Sequence, residues 1–288
     1  MPKRPTPKQP MSKQPTTKRQ APPDRHVLYQ RAVQCVEAEI DFVDETFRAL
    51  RGRQAKRLRE DFCGTAATSC EWARRGAGRT AVGLDLDRAT LDWGLRHNVG
   101  RLKPAQAAGV TLHCRNVLEP GPGAGAMDAI LAMNFSYWVF EQRETLREYF
   151  ASVRRSLARD GVFFLDFFGG WESMRPQKEK RPIQGGGKNG RGFIYWWEQA
   201  SFDPITHRMV CHISFSVPGK WRLRRAFTYT WRLWNLPEIR EVLAEAGFKR
   251  SSVYWEGDDN KGGGNGIFTL TEAAEADPCV VAYLVAER

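Results

Sequence analysis

From residue 57 onward, short apolar runs alternate with amphipathic stretches, and the alternation predicts a sheet assembled from strand–helix units. Strand candidates are Arg57–Asp61, Thr80–Asp85, Val110–Cys114, Met127–Met133 and Val162–Phe168. The last two are almost wholly apolar, the pattern of parallel strands covered on both faces. Helical periodicity falls between the strands at Thr68–Arg75, stopped by Gly76 and Gly78. It recurs at Arg88–His97, with Asp87 as N-cap, and at Arg143–Ala158, with Gly161 as an expected left-handed stop. Ahead of the first strand, Val27, Leu28, Val33, Val36, Ile40, Val43, Phe47 and Leu50 recur at helical spacing over His26–Arg51, in two pieces.

After residue 168 the alternation stops. Lys178–Arg191 is charged and glycine-rich and is expected to be mobile. Phe193–Phe202, Met209–Val217 and Trp221–Trp231 then read as strands joined by Asp203-Pro204 and Pro218-Gly219 turns, which predicts an antiparallel ribbon. Asn235-Leu236-Pro237-Glu238 opens a helix that Ala246-Gly247-Phe248 closes, and Val253–Trp255 and Val280–Val285 supply two last strands separated by a loop at Gly257–Gly266. The expected fold is α/β: a Rossmann-like, doubly wound, seven-stranded sheet with a terminal hairpin and an inserted antiparallel β cap at about 178–231. One domain over 26–288 follows a tail of residues 1–25.

Composition narrows the class. The 288 residues, 42% hydrophobic, suffice for one large domain. No apolar run approaches the ~20 residues that cross a bilayer. Met1–Pro5 is basic with no apolar segment behind it, so no secretory signal is read and a cytoplasmic location is expected. The six cysteines include no Cys-x-x-Cys pair, so reduced thiols and no metal centre are expected. Net charge is +11, and residues 1–23 alone hold six Lys or Arg, seven prolines and no acid. Such a tail buries too little apolar surface to order itself. It reads as a solvated extension or as a basic arm for RNA or another anionic macromolecule.

Candidate chemistry gathers at strand ends. The first strand breaks at Gly64 and runs into a helix, and the second closes on Asp85. In a doubly wound sheet the first strand-to-helix turn offers bare backbone and a helix N-terminus to a nucleotide-like ligand, and an acid ending the second strand accepts from ribose hydroxyls. Glu60 either meets a protonated amine there or answers the neighbouring arginines.

Glu60-Asp61-Phe62-Cys63-Gly64-Thr65-Ala66 resembles the first motif of the class I S-adenosylmethionine-dependent methyltransferases, Asp/Glu-x-Gly-x-Gly-x-Gly. Cys63-Gly64-Thr65 falls on the motif's Cys-Gly-Thr core, while Phe62 and Ala66 stand where two of its glycines belong. Leu-Arg-Glu-Asp-Phe-Cys-Gly-Thr, Asn-Phe-Ser-Tyr and Trp-Arg-Leu-Trp-Asn also resemble a bacterial subgroup of these enzymes with no assigned substrate. The resemblance spans about 26–288, and it implies that the closing hairpin sets its last strand antiparallel to the rest.

What it implies for the site is a cofactor, S-adenosylmethionine, held by Glu60, Cys63, Gly64, Thr65 and Ala66, with Asp85 on the ribose. Asn116, standing where the family commonly has Asp, and the N–H of Val117 would meet the adenine edge. Asn134 takes the place of the first residue of the Asn/Asp-Pro-Pro-Tyr box, whose prolines are replaced by Phe135-Ser136. The leading helix would fold over the cofactor, bringing Tyr29 and Gln34 within reach. The ribbon would cap a small-molecule acceptor contacted by Tyr137, Trp138 and Trp196, with Tyr137 the candidate catalytic group. No histidine stands out as a base, since His97, His113, His207 and His212 lie in helix or strand patterns. Three alternatives stay open: methylation of RNA or another acidic macromolecule recruited by the tail, a non-catalytic binding module, and a nicotinamide-dependent oxidoreductase. The last is disfavoured by the terminal hairpin and by Phe62, whose side chain would crowd a pyrophosphate.

Overall fold

The apolar runs lie side by side as their pattern predicts. The computed structural model describes residues 21–185, 192–259 and 263–288. Its first half runs α1 (Arg25–Ala32), α2 (Val36–Arg51), β1 (Arg57–Asp61), α3 (Ala67–Arg74), β2 (Thr80–Asp85), α4 (Arg88–His97), α5 (Pro104–Ala107), β3 (Val110–Cys114), β4 (Met127–Ala132), α6 (Arg143–Ser156) and β5 (Leu157–Gly169). Four strands follow, β6 (Gln177–Ile183), β7 (Phe193–Phe202), β8 (Arg208–Val217) and β9 (Trp221–Arg232), and then α7 (Leu236–Glu245), β10 (Arg250–Asp258), β11 (Gly264–Leu270) and β12 (Val280–Glu287).

The main sheet has the order β11-β10-β12-β5-β4-β1-β2-β3. Strands β1 to β5 pair in parallel, and β12 inserts antiparallel between β5 and β10, as the resemblance implies. Its two faces carry separate cores. Ile40, Val43 and Phe47 of α2 and Trp72 of α3 cover Leu58 and Phe164 on one side. Tyr149 and Phe150 of α6 and Ile239 and Val242 of α7 cover Ile130, Phe163 and Leu284 on the other. Each fully buried side chain of this kind contributes about 1.5–3 kcal/mol. The second sheet, β6-β7-β8-β9, is an antiparallel meander whose inner face takes Leu28 and Ala32 of α1 against Phe193, Ile213 and Phe215. No helix among the described residues is long and apolar enough to cross a membrane.

Three expectations need correction. The main sheet has eight strands, because residues assigned to the Gly257–Gly266 loop and beyond form β11, which pairs Tyr254 with Leu270 and Glu256 with Phe268. It is an exposed edge strand, with Ile267 and Leu270 more than half exposed, so its burial pattern gives no strong period. The cap has four strands, because Gln177–Ile183 pairs along β7 despite its charge and Pro182. An outermost strand tolerates both, since nothing further needs its N–H groups and charge keeps other strands off. The glycine-rich half of the stretch expected to be mobile, residues 186–191, lies outside the described residues, as does most of the tail, residues 1–20. Finally, Gly161 is not a left-handed stop. The helix ends at Ser156 and Gly161 sits within β5, where an added Cβ would lie 2.7 Å from the Met127 carbonyl of β4. Close strand approach, not helix termination, calls for the glycine.

Candidate functional site

Strand β1 alternates its side chains across the sheet, and the alternation sorts its charges. Arg59 and Asp61 face α6 and pair at 2.8 Å, fully buried, with the Tyr149 hydroxyl donating to Asp61 at 2.9 Å. Glu60 faces the other way. It therefore does not answer a neighbouring arginine, and instead accepts from the Ser69 N–H at 2.8 Å and the Ser69 hydroxyl at 2.5 Å, in the first turns of α3.

The turn after β1 is left-handed at three residues: Phe62 at φ 57°, Gly64 at φ 50° and Ala66 at φ 57°. Phe62 and Ala66, which replace two motif glycines, thus keep a backbone that glycine favours. The Phe62 ring lies over Phe140 and Tyr149, centroids 5.9 and 5.7 Å away, on the α6 side, rather than over the Gly64 turn. Four contacts lock the turn. The Cys63 N–H donates to the Leu84 carbonyl at 2.9 Å, and the Cys63 side chain fills the space a Cβ on Gly83 would take. Asn98 donates to the Thr65 carbonyl at 2.8 Å, and Gln30 of α1 to the Thr65 hydroxyl at 2.8 Å. Gln30 of α1 thus reaches this edge directly, and Gln34, just after α1, lines a pocket beside it with Ala67, Cys70 and Asn98.

Asp85 ends β2 with one carboxylate oxygen accepting from the Gly64 N–H at 2.7 Å and the other from the Asp87 N–H at 2.8 Å. A carboxylate oxygen has two acceptor sites, so each keeps one for a ligand. Beside it Leu86 is 69% exposed, an apolar side chain held out at the sheet's edge. Asn116 is exposed at the end of β3, its amide oxygen accepting from the Leu118 N–H at 3.0 Å, and Val117 is buried behind it. Glu60, Cys63, Gly64, Thr65, Ala66 and Asp85 therefore form one edge, and Asn116 and Val117 end the next strand along.

Of the two buried acids there, Glu60 belongs to the motif and Glu39 escapes a motif search. Glu39 on α2 accepts from the Thr68 hydroxyl at 3.4 Å, and burial pushes its carboxyl up to about 7. Burial pushes Glu60 up to about 8, the nearby Glu39 adding to the rise. Among the described residues neither forms an ion pair, so a cationic group would find two carboxylates with only neutral donors. A carboxylate in the apolar stripe Val36, Ile40, Val43, Phe47 was the available signal for Glu39.

At the tip of β4, Asn134 and Phe135 are both left-handed, at φ 57° and 55°. Their N–H groups donate to the buried Asp166 carboxylate of β5 at 2.6 and 2.8 Å, which holds the strained pair open. Burial pushes Asp166 up to about 7 despite these bonds. A lone acid in the run Val162–Phe168 marks it in sequence. Tyr137 is fully buried, its hydroxyl donating to the Asp166 carbonyl at 2.8 Å. That bond turns it away from any acceptor, and the expectation that Tyr137 contacts or activates one is corrected accordingly.

Asn134 and Phe135 also line a cavity of about 260 Å³ between the main sheet and the cap. Trp138 lines it too. Trp196 does not: strand alternation puts it on the outer face of β7, its indole N–H donating to Ser216 at 2.9 Å, and Trp197 faces the cavity instead. On β9, Tyr229 stacks on Trp231 at 4.5 Å, and Trp138 meets Trp231 edge-on at 5.9 Å. Tyr29 of α1 lines the cavity and packs beside Tyr229. It thus belongs to the cavity rather than to the Gly64 edge.

Residues 61–165, from the end of β1 through most of β5, match a family model described as a methyltransferase domain. No curated protein matches the chain. Among solved structures, an amino pentose methyltransferase of Micromonospora echinaspora, solved bound to S-adenosylmethionine, is 19% identical with a TM-score of 0.65, covering 91% of this chain and 95% of its own. An S-adenosylmethionine-dependent methyltransferase of Clostridium acetobutylicum is 16% identical, TM-score 0.62, covering 90% and 96%. A sugar N-methyltransferase of Streptoalloteichus is 14% identical, TM-score 0.61, covering 97% and 98%. Fold and family model agree: the chain has the class I S-adenosylmethionine-dependent methyltransferase fold.

Proposed function

We propose that this chain transfers a methyl group from S-adenosylmethionine to a small molecule held in the cavity beneath the cap. The observation that carries the reading is one of placement. The matched methyltransferase segment, residues 61–165, contains the edge from Phe62 to Val117 and the β4 tip at Asn134, which lines the cavity under the cap. Neighbours named for sugar and small-molecule methylation support the acceptor class.

The cofactor, when bound, supplies a methyl group activated on a positively charged sulfur. The edge residues fit it. Asp85 keeps free acceptor sites for ribose hydroxyls, Leu86 offers an apolar face to the base beside Asn116 and the Val117 N–H, and Glu60 with Glu39 would receive the amine. Asn134 stands between that edge and the acceptor. The cap excludes water and aligns the two reactants, a contribution worth about 7–11 kcal/mol when complete.

Calorimetric titration of S-adenosylmethionine and S-adenosylhomocysteine tests the reading, with NAD and NADP as controls. Micromolar binding is expected for the sulfur ligands, and Asp85→Ala should weaken it tenfold or more, about 1.4 kcal/mol. Heat with NAD instead, or none with either sulfur ligand, would overturn it.

A further inference from the structure

The cavity is walled by rings. Tyr229 and Trp231 of β9, Trp197 of β7, and Phe135 and Trp138 of the β4 loop present their faces and edges to it. The charged residues at its margin, Glu179, Lys180 and Arg181, belong to the edge strand β6 and are exposed. Arg181 is engaged there, over the Tyr195 ring at 5.2 Å and donating to the Ala32 carbonyl. Away from that margin the polar groups on the wall are the Tyr29, Tyr195 and Tyr229 hydroxyls, the Asn134 amide and the Cys279 thiol, and Tyr29 and Tyr229 pack side by side.

This lining discriminates between acceptors. A sugar carries a hydroxyl on nearly every carbon, and each one buried without a partner costs about 1–3 kcal/mol. A planar aromatic molecule is buried without that penalty, and each ring pair adds about 0.5–1.5 kcal/mol beyond area. An aliphatic amine is an ammonium at neutral pH and would find its nearest cavity-lining carboxylate, Glu179, out at the exposed margin. A phenol must lose a proton to attack, and buried tyrosines whose hydroxyls burial keeps protonated are donors, not bases.

Resting on the methyltransferase reading, we propose that the acceptor is a planar aromatic amine, neutral at pH 7, stacked among the Trp197, Trp231 and Phe135 rings, with a second polar substituent on the Tyr29 and Tyr229 hydroxyls. The nitrogen lone pair forms the bond to the methyl carbon. The carbon–sulfur bond breaks with its electrons staying on sulfur, which loses its positive charge, and the nitrogen releases one proton to water.

The test is calorimetry on the full chain, with and without saturating S-adenosylhomocysteine, using 6-amino-2-naphthol, 2-naphthylamine and glucosamine. Both aromatic probes should bind and glucosamine should give no heat. Tyr229→Phe, which keeps the ring, should weaken the aminonaphthol about three- to tenfold and leave 2-naphthylamine unchanged. Tyr29→Phe should do the same, and the melting temperature of each variant reports its folding. Glucosamine binding as tightly as the aromatic probes, neither aromatic probe binding, or equal weakening of both by Tyr229→Phe would each overturn the inference. Failure of the homocysteine ligand alone would remove the methyltransferase reading, while the aromatic titrations still decide the cavity's preference.

Discussion

The edge at Gly64 and the cavity under the cap are built from different materials. At the edge, backbone does the holding: the Gly64 and Asp87 N–H groups fix Asp85, and the Thr65 carbonyl is fixed by Asn98. In the cavity, side chains from α1, the β4 loop, β6 to β9 and the β12 strand converge, from Tyr29 to Val281. A backbone site restricts dihedral angles and close approaches but tolerates a change of side chain, as Phe62 and Ala66 show by remaining left-handed. A side-chain site has the opposite tolerance, so the two should fail independently.

The largest break in that comparison is expected from Trp231→Ala. Trp231 is buried among Trp138, Trp197 and Tyr229, and removing such a ring costs about 3–5 kcal/mol. Denaturant unfolding should register the loss and aromatic probes should cease to bind, while affinity for S-adenosylhomocysteine in the folded fraction stays within about twofold, well under the ~1.4 kcal/mol of a tenfold change. An equal fall in both affinities would mean that edge and cavity form one unit. Gly94→Ala is the converse. Its Cβ would stand 2.5 Å from the Thr65 carbonyl oxygen, so the turn or α4 must shift at about 1–3 kcal/mol. Here the homocysteine ligand should weaken and the aromatic probes should not.

The same contrast explains what the sequence discloses. Strand ends, the Gly64 turn and Asp85 lie about twenty residues apart in one strand–helix–strand unit, and their spacing alone points to the nucleotide edge. Trp196 and Trp197 show why the cavity is harder to read. They are adjacent in sequence, strand alternation sends them to opposite sheet faces, and only the register of β7 against β8 decides which faces inward. Tyr137 misled because a polar aromatic at a strand's end looks like a contact group, whereas its hydroxyl is spent on the Asp166 carbonyl. The missed strands β6 and β11 are edge strands, whose exposure erases the alternation that betrays a half-buried strand.

The pH dependence of cofactor binding is the next test in size. Burial raises Glu60 to about 8 and Glu39 to about 7, above the ordinary carboxylate range. Raised acids hold protons in the folded chain that the unfolded chain has released, so the stability they contribute is present at low pH and falls as pH climbs through those values. A cationic ligand reverses the balance by favouring the carboxylates. Its affinity should therefore rise from pH 6 to pH 8, by about tenfold if Glu39 is the linked acid and about fiftyfold if Glu60 is, with a proton released on binding. Calorimetry in buffers of different ionisation heat counts that proton. A flat profile would take both acids out of contact with the ligand and leave the edge built from backbone and Asp85 alone.

The smallest effect sharpens the comparison most. Ala66→Gly restores a motif glycine at a left-handed position. It relieves about 1–2 kcal/mol of backbone strain, but the glycine's extra freedom when unfolded takes back about 0.5–1. Loss of one fully buried methyl takes back about 0.8. Unfolding free energy should thus stay within about 0.5 kcal/mol of the parent, less than the usual effect of a buried substitution. Homocysteine-ligand affinity should be unchanged, because the turn already has the conformation that glycine would permit. A large gain in affinity would show instead that the alanine methyl intrudes on the ligand, and that side chains shape this edge as they shape the cavity.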